Sequence, residues 1–384
     1  MEASIFRPLS LLGFVALAPL AYAQDSAFET TAPYAVILDY ETGSVLYEKE
    51  ARVPTAPASM TKIMTAQLVF EALEDGSLSP EQTFRTSEYA WRTGGSASGS
   101  STMFLPLDSE TSVMDLLKGV IIQSGNDACI VLAEGMYGSE SVFADKMTER
   151  ARELGLESAT FRNSTGWPDP DHVISTLDLA RLADHQIRNH PDYYSIYAEP
   201  RFEWNGITQG NRNPLLGRMD GADGLKTGHT EASGYGLVAS AERGGERRIV
   251  VVNGLESERA RAQESERLMR AAFDQFKVYD LFAEGDEVGE IDVYMGKAET
   301  VKVAVSEKVS AGLFRGDRSG LRSRIEYTQP AAPIAKGDDV ATLIVTEPGR
   351  DERRVKLVAT EDVEAKGAFG KAMASLVAII RGES

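Results

Sequence analysis

The spacing of hydrophobic and polar residues changes several times along the chain and divides it into strand-like and helical stretches. Alternating, β-branched runs at Tyr34–Asp39 and Ser44–Tyr47 flank the turn residues Glu41-Thr42-Gly43, and this pattern predicts a β-hairpin. From Ser59 to Leu73 the period becomes helical. No charged residue lies between Lys62 and Glu71, so we expect this helix to be buried in a core.

The middle of the chain has a helical pattern up to about Arg188, interrupted by a Gly/Ser-rich segment at Thr93–Ser101 and by Asn163–Pro170. Strand patterns then return and one amphipathic helix follows, with bounds Gly224–Thr230, Gly234–Ala241, Arg248–Asn253 and Glu258–Phe276. The order strands, helices, strands, helix predicts an α+β fold. In it, a helical block is inserted between the early and late strands of an antiparallel sheet.

From about Asp280 the chain consists of short alternating runs separated by Gly, Pro and Asp. The runs are Val288–Tyr294, Thr300–Val305, Ser323–Tyr327, Val340–Thr346 and Arg353–Ala359. This spacing predicts a small β-sandwich.

The last segment, from Gly367 to Arg381, returns to helical periodicity. Its apolar stripe and the basic residues beside it are Phe369, Met373, Leu376, Val377 and Ile380, and Lys366, Lys371 and Arg381. Such a segment is too short to span a bilayer but fits an amphipathic helix that lies in the membrane interface. A helix docked on the β domain is the alternative.

The first residues have the pattern of an export signal. Arg7 precedes an apolar stretch from Leu9 to Leu20, and Ala21-Tyr22-Ala23 has the small-x-small form of a cleavage site. We therefore expect cleavage after Ala23 and a protein that works outside the cytoplasm. A permanent anchor is the weaker interpretation, because the apolar run is shorter than about 20 residues.

Composition excludes several classes of function. The formal net charge of −18 argues against a nucleic-acid partner, because a phosphate backbone attracts basic surfaces. A single cysteine, Cys129, rules out an internal disulfide and a multi-cysteine metal site. The four histidines show no ligand spacing along the chain, so the sequence predicts no metal and no cofactor.

Ser59-Met60-Thr61-Lys62 places a hydroxyl and an amine three positions apart at the start of the apolar helix, where they share a face. Serine is a weak nucleophile and needs a base within hydrogen-bond reach. A desolvated lysine fits this role, because burial disfavours its charged form and lowers its pKa. The alternative is a helix cap followed by a surface lysine.

Two further short motifs carry polar groups that fit a catalytic cleft. Ser124-Gly125-Asn126 follows the apolar run Val120-Ile121-Ile122. The alternative interpretation of this motif is an ordinary turn between two helices. Lys226-Thr227-Gly228 lies in a predicted strand, and its alternative is an edge strand with a solvated lysine. A glycine at position 228 lets a substrate backbone approach the strand.

Together, Ser-x-x-Lys, Ser-x-Asn and Lys-Thr-Gly in this order form the set typical of penicillin-binding proteins and β-lactamases. Within that group the sequence resembles the low-molecular-mass D-alanyl-D-alanine carboxypeptidases that have a C-terminal β domain. The resemblance covers nearly the whole mature chain and includes the stretches Pro57–Lys62, Gly119–Cys129, Asn211–Asn213 and Asp223–Thr230. It implies a β-lactamase/transpeptidase-like catalytic domain, a small β-sandwich domain and a C-terminal amphipathic helix.

The resemblance also implies the chemical roles. Ser59 attacks the carbonyl between two terminal D-alanines and becomes acylated, and Lys62 takes its proton. Ser124 passes a proton to the leaving amine, and Asn126 positions Lys62 and the substrate amide. No metal or cofactor takes part.

For substrate binding, the resemblance implies that Lys226 supplies positive potential and that Thr227 hydrogen-bonds the terminal carboxylate. Gly228 leaves space for the peptide, and Arg261, a looser match, adds charge. The backbone amides of the nucleophile and of His229 form the oxyanion hole. We interpret the His229 side chain itself as that of a partly exposed strand residue. The expected partners are peptidoglycan stem peptides and, as covalent inhibitors, β-lactam antibiotics.

Three rival functions share parts of this pattern. A β-lactamase of class A needs a glutamate on the loop before the Lys-Thr-Gly strand. The corresponding loop here, Asn163–His172, contains no glutamate, and its only acidic residues are Asp169 and Asp171. A D,D-endopeptidase uses the same machinery and stays open as an alternative. A non-catalytic wall-binding protein is disfavoured by the intact motifs. Cys129 is interpreted as a small buried helix residue.

These expectations divide the chain into four parts. Residues 1–23 are a signal peptide, 24–279 the serine carboxypeptidase domain, 280–366 the β-sandwich domain and 367–384 a membrane-associating helix. The implied location is periplasmic, peripherally attached to the outer face of the inner membrane.

Overall fold

A computed structural model describes residues 28–314, 321–347 and 352–367. The predicted signal peptide and nearly all of the predicted C-terminal helix lie outside these ranges. Within them, no helix is long and apolar enough to cross a membrane.

Sixteen strands are present in the described residues. In chain order β1 to β16 are Tyr34–Asp39, Val45–Lys49, Thr83–Arg85, Glu110–Ser112, Arg201–Trp204, Ile207–Gly210, Ala222–Thr230, Gly234–Arg243, Glu246–Leu255, Phe276–Phe282, Glu287–Asp292, Thr300–Val305, Val309–Phe314, Arg322–Glu326, Asp339–Thr346 and Arg353–Ala359. The α-helices α1 to α8 are Lys62–Glu74, Glu88–Thr93, Val113–Lys118, Asn126–Tyr137, Glu140–Glu153, Thr176–Asn189, Pro191–Tyr194 and Glu258–Asp274.

The main sheet is antiparallel and has the strand order β2-β1-β9-β8-β7. One face, with Val36, Val238 and Val251, packs on the helical block between β2 and β7. The opposite face, with Leu237 and Val250, packs on α8. Because both faces are covered, the central strands contain consecutive buried apolar residues, such as Ile249–Val252 in β9. The predicted sheet with a helical insertion is confirmed.

Helix α1 runs through the centre of the helical block. Every residue from Lys62 to Phe70 is buried, including the polar Thr65 and Gln67. The predicted burial of this helix is confirmed, and its first turn, Ala58–Thr61, is a 3₁₀ helix. The predicted helical stretch up to about Arg188 is wrong in one place, where the short strand pair β3–β4 interrupts it, because its few alternating residues give too weak a periodic signal. The pair β5–β6 lies beyond Arg188 and was missed for the same reason.

The C-terminal part contains a five-stranded antiparallel sheet of order β11-β12-β16-β15-β14 and a two-stranded ribbon, β10–β13. Its apolar core includes Val303, Leu343 and Leu357. The predicted β domain is confirmed, but the sequence pattern missed β10 and β13. Strand β10 crosses the predicted domain boundary between residues 279 and 280, and its first residue, Phe276, packs in the core of the catalytic domain.

The ribbon contacts the main sheet through Gly312 in β13. A Cβ atom at Gly312 would lie 2.3 Å from Leu46 Cδ2 and 3.1 Å from the carbonyl oxygen of Val45. The two domains therefore approach each other closely at this glycine.

We expect Gly312→Val to destabilise the protein by about 1–3 kcal/mol, because a branched side chain overpacks this junction. Thermal unfolding followed by circular dichroism measures the effect. Gly367→Val is the matched control, since a Cβ atom there has no neighbour within 4 Å. Equal unfolding temperatures for the two variants would contradict the tight junction.

Candidate active site

The candidate nucleophile lies in a turn that two other segments approach closely. Ser59 follows Ala58, whose φ of 49° places it in the left-handed region. A Cβ atom on Gly166 would lie 1.8 Å from the Ala58 carbonyl oxygen, and one on Gly228 would lie 2.6 Å from that of Pro57. Both glycines are thus required where the loop and strand β7 meet the turn. In the structure, Gly228 allows strand β7 to approach the turn that carries Ser59.

Lys62 is 1% exposed, and its amine contacts three oxygen atoms. Nζ lies 3.0 Å from Ser59 Oγ, 2.7 Å from Asn126 Oδ1 and 2.6 Å from the Thr165 carbonyl oxygen. Burial lowers the pKa of Lys62 to about 8. In the neutral amine, two N–H groups suffice for Asn126 and Thr165, which accept only. The lone pair is then directed at the Ser59 hydroxyl, which is the geometry of a general base.

Ser124 and Asn126 lie at the start of α4. Ser124 ends a π-helical turn with φ 60° and is 1% exposed, yet it lines the same cleft as Ser59. The Asn126 side chain donates to Ser100 Oγ at 2.9 Å, while its Oδ1 accepts from Lys62. Its amide orientation is therefore fixed by contacts at both ends.

Asp127 is fully buried and holds the segment that carries Ser100. Its carboxylate accepts hydrogen bonds from Thr102 Oγ1 at 2.6 Å, Met103 N at 2.8 Å and Leu105 N at 3.0 Å. Sequence reasoning missed this residue. The available signal was a lone acid in an otherwise apolar helical run.

Strand β7 supplies the other wall. Lys226 is buried beneath the cleft, and burial, followed by the nearby charge of Lys62, holds its pKa well below the usual value. Thr227 and His229 line the cleft. The exposed His229 ring stacks on Tyr235 with centroids 3.8 Å apart.

The cleft has a volume of about 900 Å³ and a basic end. Arg212 and Arg261 line it; Arg212 Nη1 donates to Ser101 Oγ, and Arg261 Nη2 lies 3.6 Å from Glu258. Within the described part of the chain, Arg261 Nε is buried without a hydrogen-bond partner. In a protein with net charge −18, this end favours a carboxylate group. Arg212 had no role assigned from the sequence.

The loop at 163–172 aims the Thr165 carbonyl at Lys62. Asn163 Oδ1 accepts hydrogen bonds from the backbone N–H groups of Thr165, Gly166 and Trp167 at 3.2, 2.7 and 3.1 Å. Glu140 Oε1 accepts from Ser164 N and Oγ. These bonds fix the loop from inside and from helix α5.

A buried histidine joins the same loop to the nucleophile turn. His172 Nδ1 accepts from the Arg162 N–H at 3.1 Å, so the ring proton is on Nε2, which lies 2.8 Å from Thr61 Oγ1. Burial lowers the pKa of His172 to about 4, and the ring is neutral at pH 7.

The two acidic residues of the loop lie on its outer side. Asp171 pairs with the exposed Arg162 at 3.5 Å, and Asp169 Oδ1 accepts from the Asp171 N–H. Neither carboxylate contacts Lys62. Cys129 is fully buried, and burial raises the pKa of its thiol to about 12, which confirms its interpretation as an inert helix residue.

The structure thus brings all nine sequence-predicted residues to one cleft. Six line it and three lie beneath it: Ser59, Ser124, Thr227, Gly228, His229 and Arg261, and Lys62, Asn126 and Lys226. A serine hydroxyl beside a buried amine, with a basic end to the cleft, is the apparatus of a serine enzyme that forms an acyl intermediate.

Comparisons with known proteins identify the family. The model described as D-alanyl-D-alanine carboxypeptidase matches residues 21–257, and that described as penicillin-binding protein 5, C-terminal domain, matches residues 276–365. The chain belongs to the D-alanyl-D-alanine carboxypeptidase family of low-molecular-mass penicillin-binding proteins.

Several relatives are similar over most of their length. The D-alanyl-D-alanine carboxypeptidase DacA of Haemophilus influenzae is 35% identical, with 97% of each chain covered. DacC of Escherichia coli is 37% identical, with 92% of this chain and 90% of DacC covered. Penicillin-binding protein 5 of Haemophilus influenzae has a crystal structure with a TM-score of 0.72 and 35% identity, covering 88% of this chain and 99% of that chain. The fold and the family therefore agree.

We expect Thr61→Val and His172→Leu each to slow acylation of Ser59 about tenfold, or about 1.4 kcal/mol, because the loop then holds Lys62 less firmly. The double variant should be no slower than His172→Leu alone, since that change already removes the Thr61–His172 contact. Stopped-flow labelling with a fluorescent penicillin measures these rates. Losses that multiply in the double variant would contradict the link between loop and turn.

Proposed function

We propose that this protein is a serine-type D-Ala-D-Ala carboxypeptidase that removes the terminal D-alanine from peptidoglycan stem pentapeptides. The observation that carries the proposal is the 3.0 Å contact between Ser59 Oγ and the buried amine of Lys62. It is supported by relatives at 35% and 37% identity that bear the name D-alanyl-D-alanine carboxypeptidase.

In the proposed mechanism, Ser59 Oγ forms a bond to the carbonyl carbon of the penultimate D-alanine, and its proton passes to Lys62 Nζ. The carbonyl oxygen becomes an oxyanion, which the backbone N–H groups of Ser59 and His229 stabilise. The C–N bond then breaks, and the leaving amine receives a proton through Ser124. Free D-alanine and an ester on Ser59 result.

The second half of the reaction uses the same groups. A water molecule gives its proton to the neutral Lys62 and attacks the ester, which releases the shortened peptide and restores the Ser59 hydroxyl. Thr227 and Arg261, with potential from Lys226, hold the terminal carboxylate during the first half. Asn126 fixes Lys62 and the peptide amide.

A β-lactam fits the same cleft because it carries a reactive amide and a carboxylate. After ring opening its leaving group stays attached, so it blocks the approach of water. No acid of loop 163–172 contacts Lys62, which favours slow hydrolysis of the adduct over β-lactamase turnover. The structurally similar penicillin-binding protein D2 of Listeria monocytogenes has been solved in an ampicillin-bound form; it has a TM-score of 0.57 and 30% identity and covers 65% of this chain.

We expect Ser59→Ala to abolish both D-alanine release and penicillin labelling, because no second nucleophile takes its place. Enzymatic detection of D-alanine from a pentapeptide and intact-protein mass spectrometry with penicillin measure the two losses. A penicillin adduct on the variant would overturn the assignment of the nucleophile.

Lys62→Arg is expected to reduce acylation at least about a thousandfold although it keeps the positive charge, because a guanidinium stays protonated and accepts no proton. Lys226→Arg should be milder, since that site supplies potential only. The two acylation rates, measured with the same penicillin, test this division. Equal losses would show that proton transfer is not what distinguishes the two lysines.

We propose further that the protein is exported, that residues 1–23 are removed, and that it acts in the periplasm in cell-wall biogenesis and cell shape. Residues 367–384 then attach it peripherally to the outer face of the inner membrane. The apolar stripe and basic flanks of this segment support the proposal, as does its position directly after the β domain of 280–366.

Removing Gly367–Ser384 should release the protein from anionic vesicles while leaving activity on soluble pentapeptides unchanged, since the segment is remote in sequence from the cleft. Vesicle flotation at low and high salt measures binding, which salt should weaken. If the truncated protein instead unfolds at a clearly lower temperature, the segment docks on the protein and the membrane attachment is wrong.

A further inference from the structure

A second cluster of reactive side chains lies at the other end of the catalytic helix. Glu71 is on α1, His185 is on α6 and His190 directly follows α6. One ligand atom from each of these three residues lies within 4.8 Å of the other two. Glu71 is nine residues beyond Lys62 in the same helix, which corresponds to about 14 Å along its axis. This cluster is therefore separate from the cleft.

The chemistry of these side chains is that of a metal site. Two imidazoles and one carboxylate are the protein ligands of many zinc sites that keep one position open. His190 leaves the helical conformation, with φ −129° and ψ 48°, which brings its ring to 5.8 Å from that of His185. His190 is buried, and the other two residues are half-buried, so the site is open to solvent on one side.

Each of the three residues also has an outer partner. His190 Nδ1 lies 2.8 Å from Glu74 Oε2 without forming a hydrogen bond, and the Asn189 Nδ2 amide, which donates to the His185 carbonyl oxygen at 2.9 Å, lies 3.0 Å from His185 Nδ1. Glu71 Oε1 accepts from Arg150 Nε at 2.9 Å, which leaves Oε2 for a ligand. A carboxylate beside the second ring nitrogen, as Glu74 is at His190, is the kind of outer partner that orients a metal-binding histidine and strengthens metal affinity.

Gln67 lies at the centre of the cluster. Its Nε2 is 2.8 Å from both Glu71 Oε1 and His190 Nε2, and its Oε1 is buried with no hydrogen-bond partner in the described part of the chain. Turning the amide places Oε1 between the carboxylate and the imidazole. Two oxygens at that distance repel each other unless a cation lies between them, and with a cation Oε1 is a fourth donor.

The local charges favour a divalent cation. Glu71 and Glu74 contribute two negative charges and Arg150 one positive charge, so the two histidines lie in a net negative environment. Zinc bonds of about 2.0–2.1 Å place ligand atoms about 3.4 Å apart. Side-chain rotations that move the ligand atoms of the half-buried Glu71 and His185 by roughly 1 Å bring the donors to that spacing.

We propose that Glu71, His185 and His190 form a zinc-binding site that joins α1 to the end of α6. The spacing of the histidines along the sequence did not indicate this site, because its third ligand, Glu71, comes from a different helix. The site stabilises the helix that carries Lys62 without contacting the substrate.

The test uses the full purified chain, freed of metal with a chelator, and Zn²⁺ alone as the probe. Titration calorimetry should show one Zn²⁺ per chain, and saturating Zn²⁺ should raise the unfolding temperature by at least about 4 °C. Co²⁺ in place of Zn²⁺ should give the visible absorption of a four-coordinate site. The acylation rate with penicillin should not change on Zn²⁺ addition.

His185→Gln and Glu71→Gln should abolish stoichiometric binding, and Glu74→Gln should weaken it about 10–100-fold. His229→Gln, which alters an exposed histidine elsewhere, should bind Zn²⁺ as the parent does. Unfolding temperatures in chelator confirm that each variant is folded. Absence of one-to-one binding in the parent, or binding that survives both His185→Gln and Glu71→Gln, would overturn the proposal.

Discussion

The structure depends on keeping one amine out of water. Lys62 lies at the start of a helix whose first nine residues are all buried, and its Nζ contacts one oxygen each from the nucleophile turn, from α4 and from loop 163–172. Burial disfavours the charged amine, while the two acceptor-only partners leave its lone pair for Ser59. Without this desolvation, the serine has no base in reach.

Most of the polar residues around the cleft serve this one arrangement. Asn163 and Glu140 fix the loop that presents the Thr165 carbonyl, and His172 joins that loop to Thr61. Asp127 fixes the segment that holds Asn126. Glu140, His172 and Asp127 each have a hydrogen-bond partner from a different element, so the cleft and the packing of the helical block are parts of one structure.

The sequence was sufficient to predict the motif residues and the main sheet, because catalytic hydroxyls and amines and long apolar strands can be recognised from residue type and spacing. It was insufficient for the Thr165 carbonyl, since any residue supplies a backbone oxygen. Strands β10 and β13 were missed because they alternate weakly and include small residues such as Ala311 and Gly312, and their pairing, from Phe276↔Phe314 to Phe282↔Val309, joins distant parts of the sequence. The grouping of Glu71 with His185 and His190 likewise depends on the packing of two helices.

The pKa of Lys62 is the most direct measure of the central claim. It can be followed by NMR in the full chain with ¹³C-labelled lysine, with Lys62→Arg to assign the signal. We predict a titration midpoint of about 8 for this amine. A midpoint near the ordinary lysine value of 10.5 would show that burial does not make the neutral amine accessible near neutral pH, and would contradict its role as the base.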